Sequence, residues 1–407
     1  MKRIILLTLS ALLLTPIAVL SDTVPKSSQS PNILRNPTSV EVASNASDGL
    51  AELADKIRPG FLLGSFASGL DSVPKDDAIL KKIFKFNFNI MTVGVYMKST
   101  QYKKGGYDFN KADALVNFAQ ENQIKIYLHP LIGGVQYTPK WVNEGHFSTP
   151  ELRQIMKERI TTILNRYRDK VDYVDVVNEA LDGTGLKPDG QFNWREKSAR
   201  GDHVWMKTMG MYQGKKYLFP QYLVDAFRIA REAGGPGLKL HLNEYDNAST
   251  QSLRGPAFLK LIQAMREEGI SVDGAGLQMH LDLKDGKLLE GGRKPAFDFG
   301  SFDVMLQEYA QAGIDVHITE FDIHLPVNPT EQDYQLQGKY YAEVLRHAIA
   351  SPTVKSFKTW GFTDKYSWKP NNEDGHPLML DAQFQPKPAY LMSLDLLQTL
   401  ARTPVGH

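Results

Sequence analysis

From Gly49 onward the chain alternates short apolar, β-branched runs with longer amphipathic ones, and the alternation repeats eight times. Candidate strands are Phe61–Phe66, Phe88–Val93, Lys125–Leu131, Val171–Val177, Lys239–Asn243, Gly274–Met279, Asp315–Thr319 and Ser356–Gly361. Helical patterns separate them: Asp76–Phe84, Lys111–Asn122, Glu151–Arg168, Gln221–Ala233, Ala257–Glu268, Phe302–Ala312 and Gln332–Ala350. Strand–helix alternation of this kind builds a parallel sheet, and eight repeats imply closure into a single (β/α)8 TIM barrel. An open doubly wound sheet is the competing architecture. It is disfavoured because no glycine-rich phosphate loop follows the first strand.

The flanks differ in character. Residues 1–21 have the pattern of a secretory signal: Lys2 and Arg3, then an apolar stretch from Ile4 to Leu14, then small residues around Ala18 and Ser21. Residues 22–48 carry six serines, three prolines and three asparagines and read as a flexible tether, leaving 49–402 for the barrel. The expected location is therefore periplasmic or secreted. With a net charge of +1, the chain shows no electrostatic footprint for nucleic acid, and no membrane span is expected beyond the leader. No cysteine is present, which excludes disulfides, thiolate metal sites and a cysteine nucleophile.

Two of the strand-like runs end abruptly in carboxylates: Tyr173-Val-Asp-Val-Val-Asn-Glu179-Ala180 and Asp315-Val-His-Ile-Thr-Glu320-Phe-Asp322. In a barrel both acids emerge at the C-terminal face, where active sites lie. Two carboxylates across a cleft are the minimal equipment for glycoside hydrolysis. A long connection, Gly183 to Phe219, follows the first acid and carries Trp194, Trp205, Tyr212 and Tyr217. It is expected either to shape the substrate site or to pack on itself as a surface insertion.

These segments resemble glycoside hydrolase family 10, the retaining endo-β-1,4-xylanases. Asp175-Val-Val-Asn-Glu179-Ala180 matches its acid/base motif and His317-Ile-Thr-Glu320-Phe-Asp322 its nucleophile motif. Asn243-Glu-Tyr-Asp-Asn247, Val272-Asp-Gly-Ala-Gly-Leu-Gln278-Met-His280 and Trp360-Gly-Phe-Thr-Asp-Lys-Tyr-Ser-Trp368 follow in the family's order. The resemblance implies that Glu179 is the general acid/base and Glu320 the nucleophile. It also implies that Asn178 binds the hydroxyl beside the reacting carbon, that His280 orients Glu320 with Gln278 nearby, and that Trp360 and Trp368 wall the reacting sugar. Lys98, His129 and Gln136 complete the implied substrate-binding set. No cofactor or metal is implied; a zinc site using His280, His317 and His324 is a weaker alternative. The implied partner is a polysaccharide, met by a monomer.

The chain departs from the family at two strand ends. Gly94-Val95 stands where the family has Glu-Asn, and Gly133-Gly134 where it has Trp-His. Losing these groups is expected to open space at the non-reducing-side sugar sites and to weaken discrimination for plain xylose. Trp194 or Trp205 is a candidate to restore stacking. The rivals to a xylanase are therefore a hydrolase of a different or decorated β-glycan, such as a bacterial exopolysaccharide, and an inactive carbohydrate-binding barrel.

Overall fold

The computed structural model of the protein describes residues 48–71, 74–369 and 375–402. The leader at 1–21 and nearly all of the tether at 22–48 lie outside the described residues.

Eight strands form the barrel: β1 (Leu62–Phe66), β2 (Ile90–Gly94), β3 (Lys125–His129), β4 (Tyr173–Asn178), β5 (Lys239–Glu244), β6 (Gly274–Leu277), β7 (Asp315–His324) and β8 (Val354–Thr359). They pair in the order β6–β5–β4–β3–β2–β1–β8–β7, and β6 pairs back onto β7, so the ring closes. Every one of these pairings is parallel. The eightfold alternation thus becomes the expected barrel.

Among the described residues, eight helices of twelve residues or more form the outer layer: α1 (Pro74–Asn87), α2 (Asn110–Glu121), α3 (Thr149–Tyr167), α4 (Gln221–Gly234), α5 (Gly255–Glu267), α6 (Phe299–Gln311), α7 (Glu331–Ala350) and α8 (Pro388–Arg402). α3 starts in a reciprocal Ser148–Glu151 capping box and α7 in a Thr330–Asp333 box, which satisfy backbone donors that a bare terminus leaves open. α8 is an addition to the helices expected from the sequence. It buries Ala389, Tyr390, Ser393 and Leu397, and the Tyr390 hydroxyl donates to Asn87 Oδ1 at 2.9 Å.

One buried side chain of α3 ties this layer to the loops above β2 and β3. Arg159 is fully buried and donates to the carbonyls of Leu131 (2.6 Å) and Val95 (2.5 Å) and to Thr100 Oγ1 (3.2 Å). Burial pushes its pKa down to about 9. The guanidinium replaces water as the partner of loop carbonyls that would otherwise be orphaned, so it fixes both loops to the same helix.

The connection after β4 folds into short antiparallel pairs, Leu181–Leu186 with Phe192–Trp194 and Met211–Gln213 with Leu218–Pro220, around a helix at Val204–Met209. Trp194, Trp205 and Tyr217 are buried within it. The indole of Trp194 donates to the Leu218 carbonyl (3.1 Å) and that of Trp205 to Thr138 Oγ1 (3.3 Å). This corrects the expectation that either tryptophan offers a face to sugar: both are packing residues with satisfied N–H groups.

Candidate active site

Glu179 is the first residue after β4, and its φ of 62° lies in the left-handed region. A non-glycine residue there stores about 1–3 kcal/mol of strain. Its N–H donates to the Asn243 carbonyl of β5 at 2.9 Å, which holds the turn. Both carboxylate oxygens are occupied. Oε1 accepts from the Tyr137 hydroxyl (3.2 Å), Asn178 Nδ2 (3.2 Å) and Gln278 Nε2 (3.4 Å); Oε2 accepts from Gln136 Nε2 (3.1 Å) and Arg195 Nη1 (2.8 Å).

Glu320 lies within β7, which runs on past the acid to His324 rather than stopping before it as the sequence suggested. Its Oε1 accepts from Asn243 Nδ2 at 2.6 Å, and its Oε2 meets His280 Nε2 at 3.2 Å. The same Asn243 amide donates to Asn178 Oδ1 at 2.8 Å, and Thr319 Oγ1 donates to Asn243 Oδ1 at 2.7 Å. The two glutamates are therefore joined through two buried side-chain amides. A network with each member satisfied holds a single geometry.

Charge is fixed below and beside Glu320. His280 Nδ1 sits 2.8 Å from Asp322 Oδ1. Burial opposes charging of the imidazole, but Asp322 and then Glu320 outweigh it and raise the His280 pKa to about 10. Burial likewise opposes ionisation of Asp322, and His280 and His324 together hold its pKa well below the usual carboxylate range. Trp368 Nε1 donates to Asp322 Oδ2 at 2.8 Å while the side chain stays 52% exposed, so one end is anchored and the ring faces the opening. His129 is buried between Asp175 (2.7 Å) and Glu320 (3.8 Å); the second separation is a charge contact rather than a hydrogen bond.

A cleft of about 900 Å³ runs over these groups. Eight of the ten residues given catalytic or substrate-binding roles in the sequence line it: Lys98, Gln136, Glu179, Gln278, His280, Glu320, Trp360 and Trp368. Asn178 and His129 stand behind it and touch its carboxylates. Among the described residues no group of His, Asp or Glu side chains is arranged to hold a metal ion. His317, named with His280 and His324 as a candidate ligand, instead bonds Ser356 Oγ (2.8 Å) inside the barrel.

Residues 54–396 match glycosyl hydrolase family 10. The chain belongs to that family. It is 29% identical over 356 residues to endo-1,4-beta-xylanase B of Thermotoga neapolitana, covering 86% of this chain and 91% of the relative. It is 30% identical over 337 residues to endo-1,4-beta-xylanase 2 of Aureobasidium pullulans, covering 81% and 86%. Xylanase 10B from Thermotoga petrophila RKU-1, solved in complex with xylobiose, superposes with a TM-score of 0.75 at 28% identity, over 88% of this chain and 99% of that one.

Against this family background, the two divergent strand ends take on a specific shape. A Cβ on Gly133 would lie 2.6 Å from Tyr137 Cδ2, and a Cβ on Gly94 would lie 2.8 Å from Tyr96 Cε2. Each glycine clears room for a tyrosine, and the two rings stack with centroids 5.3 Å apart. The space expected to open is thus taken up by an aromatic pair, one member of which bonds Glu179. Sequence reading missed Tyr96, Tyr137 and Arg195. The tyrosines follow the anomalous glycines by two and four residues, and that pairing of small with large was the available signal. Arg195 sits inside the long insertion, away from the end of any barrel strand, and nothing in its local pattern marks it.

Proposed function

We propose that this family-10 chain hydrolyses a β-1,4-linked xylan-type polysaccharide with retention of configuration, Glu179 acting as general acid/base and Glu320 as nucleophile. One observation carries the reading: the two glutamates face one cleft and are linked through Asn178 and Asn243. In the first step a Glu320 oxygen attacks the anomeric carbon as the bond to the leaving oxygen breaks, and Glu179 delivers a proton to that oxygen. In the second, Glu179 takes a proton from water, the water oxygen attacks the anomeric carbon, and the bond to Glu320 breaks. The network of donors around both acids limits the reorganisation either step requires.

Asn178, held by Asn243 and Gln278, is suited to bind the hydroxyl beside the reacting carbon. Trp360, stacked on Phe66 with centroids 4.4 Å apart, and Trp368 supply apolar faces for the sugar. The leader-like pattern of residues 1–21 supports action outside the cytoplasm, and a single copy suffices because both acids and their hydrogen-bond partners come from one chain. A second reading, a different or decorated β-glycan, is favoured by the Tyr96–Tyr137 wall where the family carries polar groups and a tryptophan. An inactive binding barrel is disfavoured because Glu179, Glu320, Asn178 and His280 are all present and mutually bonded.

Azide rescue tests the roles. With Glu179→Ala, azide should restore turnover and give a β-glycosyl azide; with Glu320→Ala it should give an α-glycosyl azide. Near-normal activity of either variant without azide contradicts the assignment.

A further inference from the structure

A second cavity, of about 1090 Å³, opens beside the catalytic cleft, and Lys98, Gln136 and Arg200 line both. Gln136 also donates to Glu179, so the second cavity begins one side chain away from the reacting pair. Its charge is one-sided. Lys98, Lys140, Arg200 and Lys207 face only Glu144 and Asp202, and Asp202 is already held by Lys207 at 2.6 Å.

Lys98 and Arg200 stand where the two cavities meet. The Lys98 ammonium lies 6.0 Å over the Tyr96 ring and 5.9 Å over the Tyr137 ring, so the tyrosine pair borders its head at the junction. Burial first, then the like charge of Arg200, holds the Lys98 pKa below its ordinary value, and no carboxylate offsets either effect. Across the cleft the arginines do have an acid: Asp246 pairs with both Arg254 (3.4 Å) and Arg293. Two cations that line the same junction, neither of them in an ion pair with an acid among the described residues, form a receptor that an anion completes. A neutral pentose offers such a pair only hydroxyl acceptors, whereas a sugar carboxylate supplies the missing charge and matches the planar fork of a guanidinium.

Resting on the reading of the cleft as a glycan hydrolase, we infer that Lys98 and Arg200 bind the carboxylate of a hexuronate carried by the substrate, and that the side cavity houses the rest of that ring. The enzyme then prefers an acidic glycan over a neutral one of the same shape.

The test uses two substrate pairs: a xylo-oligosaccharide with a uronate branch against its carboxyl-reduced form, and a β-linked oligosaccharide with uronate in the chain against its reduced form. For one pair, kcat/KM should favour the acidic member by about tenfold or more at low salt, the gap narrowing as salt rises. Preference in the branched pair assigns the site to a side branch; preference in the other assigns it to the main chain. Arg200→Gln should remove most of the ratio. Equal rates within both pairs, or a ratio that Arg200→Gln leaves unchanged, overturns the inference. Cleavage of none of the substrates contradicts the hydrolase reading instead. Calorimetric binding of the same pairs then still decides the carboxylate site, a preference supporting it and equal affinities overturning it.

Discussion

Just after β4 and within β7, every oxygen of Glu179 and Glu320 has a polar partner drawn from a different element: Asn243 from β5, Gln278 and His280 from beyond β6, Arg195 from the insertion. At the ends of β2 and β3, the wall of the same cleft is made of two glycines and the two tyrosines they accommodate. The first region tolerates little change, because each Glu320 oxygen has one hydrogen-bond partner, and removing Asn243 or His280 leaves a buried group unsatisfied. The second has been exchanged as a set: each aromatic ring fits only because its glycine lacks a Cβ. Chemistry held by a closed network stays fixed while a wall held by shape can be rebuilt.

The largest effects should come from breaking the network at its centre. Glu179→Ala should lower kcat by about 10²–10⁴, the range for a lost general acid/base, and Glu320→Ala by at least as much. Both should keep the wild-type far-UV circular dichroism, and steady-state kinetics measures the loss. Arg195→Met removes a charge-assisted bond of 2.8 Å to Glu179. At about 1.5–3 kcal/mol for such a bond, kcat/KM should fall by roughly ten- to a hundredfold.

The wall should respond differently. Gly133→Ala drives a methyl into the Tyr137 ring and should destabilise the fold by about 1–3 kcal/mol in urea unfolding. Tyr137→Leu in the same chain should recover most of that loss, giving a coupling energy in the double-mutant cycle. Additive losses would show that the glycine and the tyrosine are not a unit.

The mildest effect sharpens the charge side of the comparison. The folded-state pKa of His280 is raised from 6.5 to about 10, so its ionic contribution to stability is full below about pH 6.5 and is lost as pH rises through about 10. The gap in denaturation midpoint between the wild type and His280→Gln should therefore narrow across that window. A gap that widens toward alkaline pH contradicts the charged trio of Glu320, His280 and Asp322.

The barrel and its two acids were legible in the sequence because both are local signals. A β-branched run that leads into a carboxylate is visible in one dimension, although β7 continues past Glu320 to His324. α8 escaped the helical patterns read from the sequence, the last of which ends at Ala350. Gly94 and Gly133 were visible as anomalies, but their meaning depends on where the Tyr96 and Tyr137 rings turn, which no spacing encodes. Trp194 and Trp205 misled for the opposite reason: an aromatic in a long loop looks like a sugar platform, and burial decides otherwise.

The central claim is that Glu179 and Glu320 act as a retaining pair behind the rebuilt wall, which requires their carboxyl groups to lie about 5–5.5 Å apart. Proton NMR of the first product formed from a β-1,4-xylo-oligosaccharide tests it directly. The β-anomer should appear first and mutarotate to the equilibrium mixture; an α-anomer formed first would contradict the account.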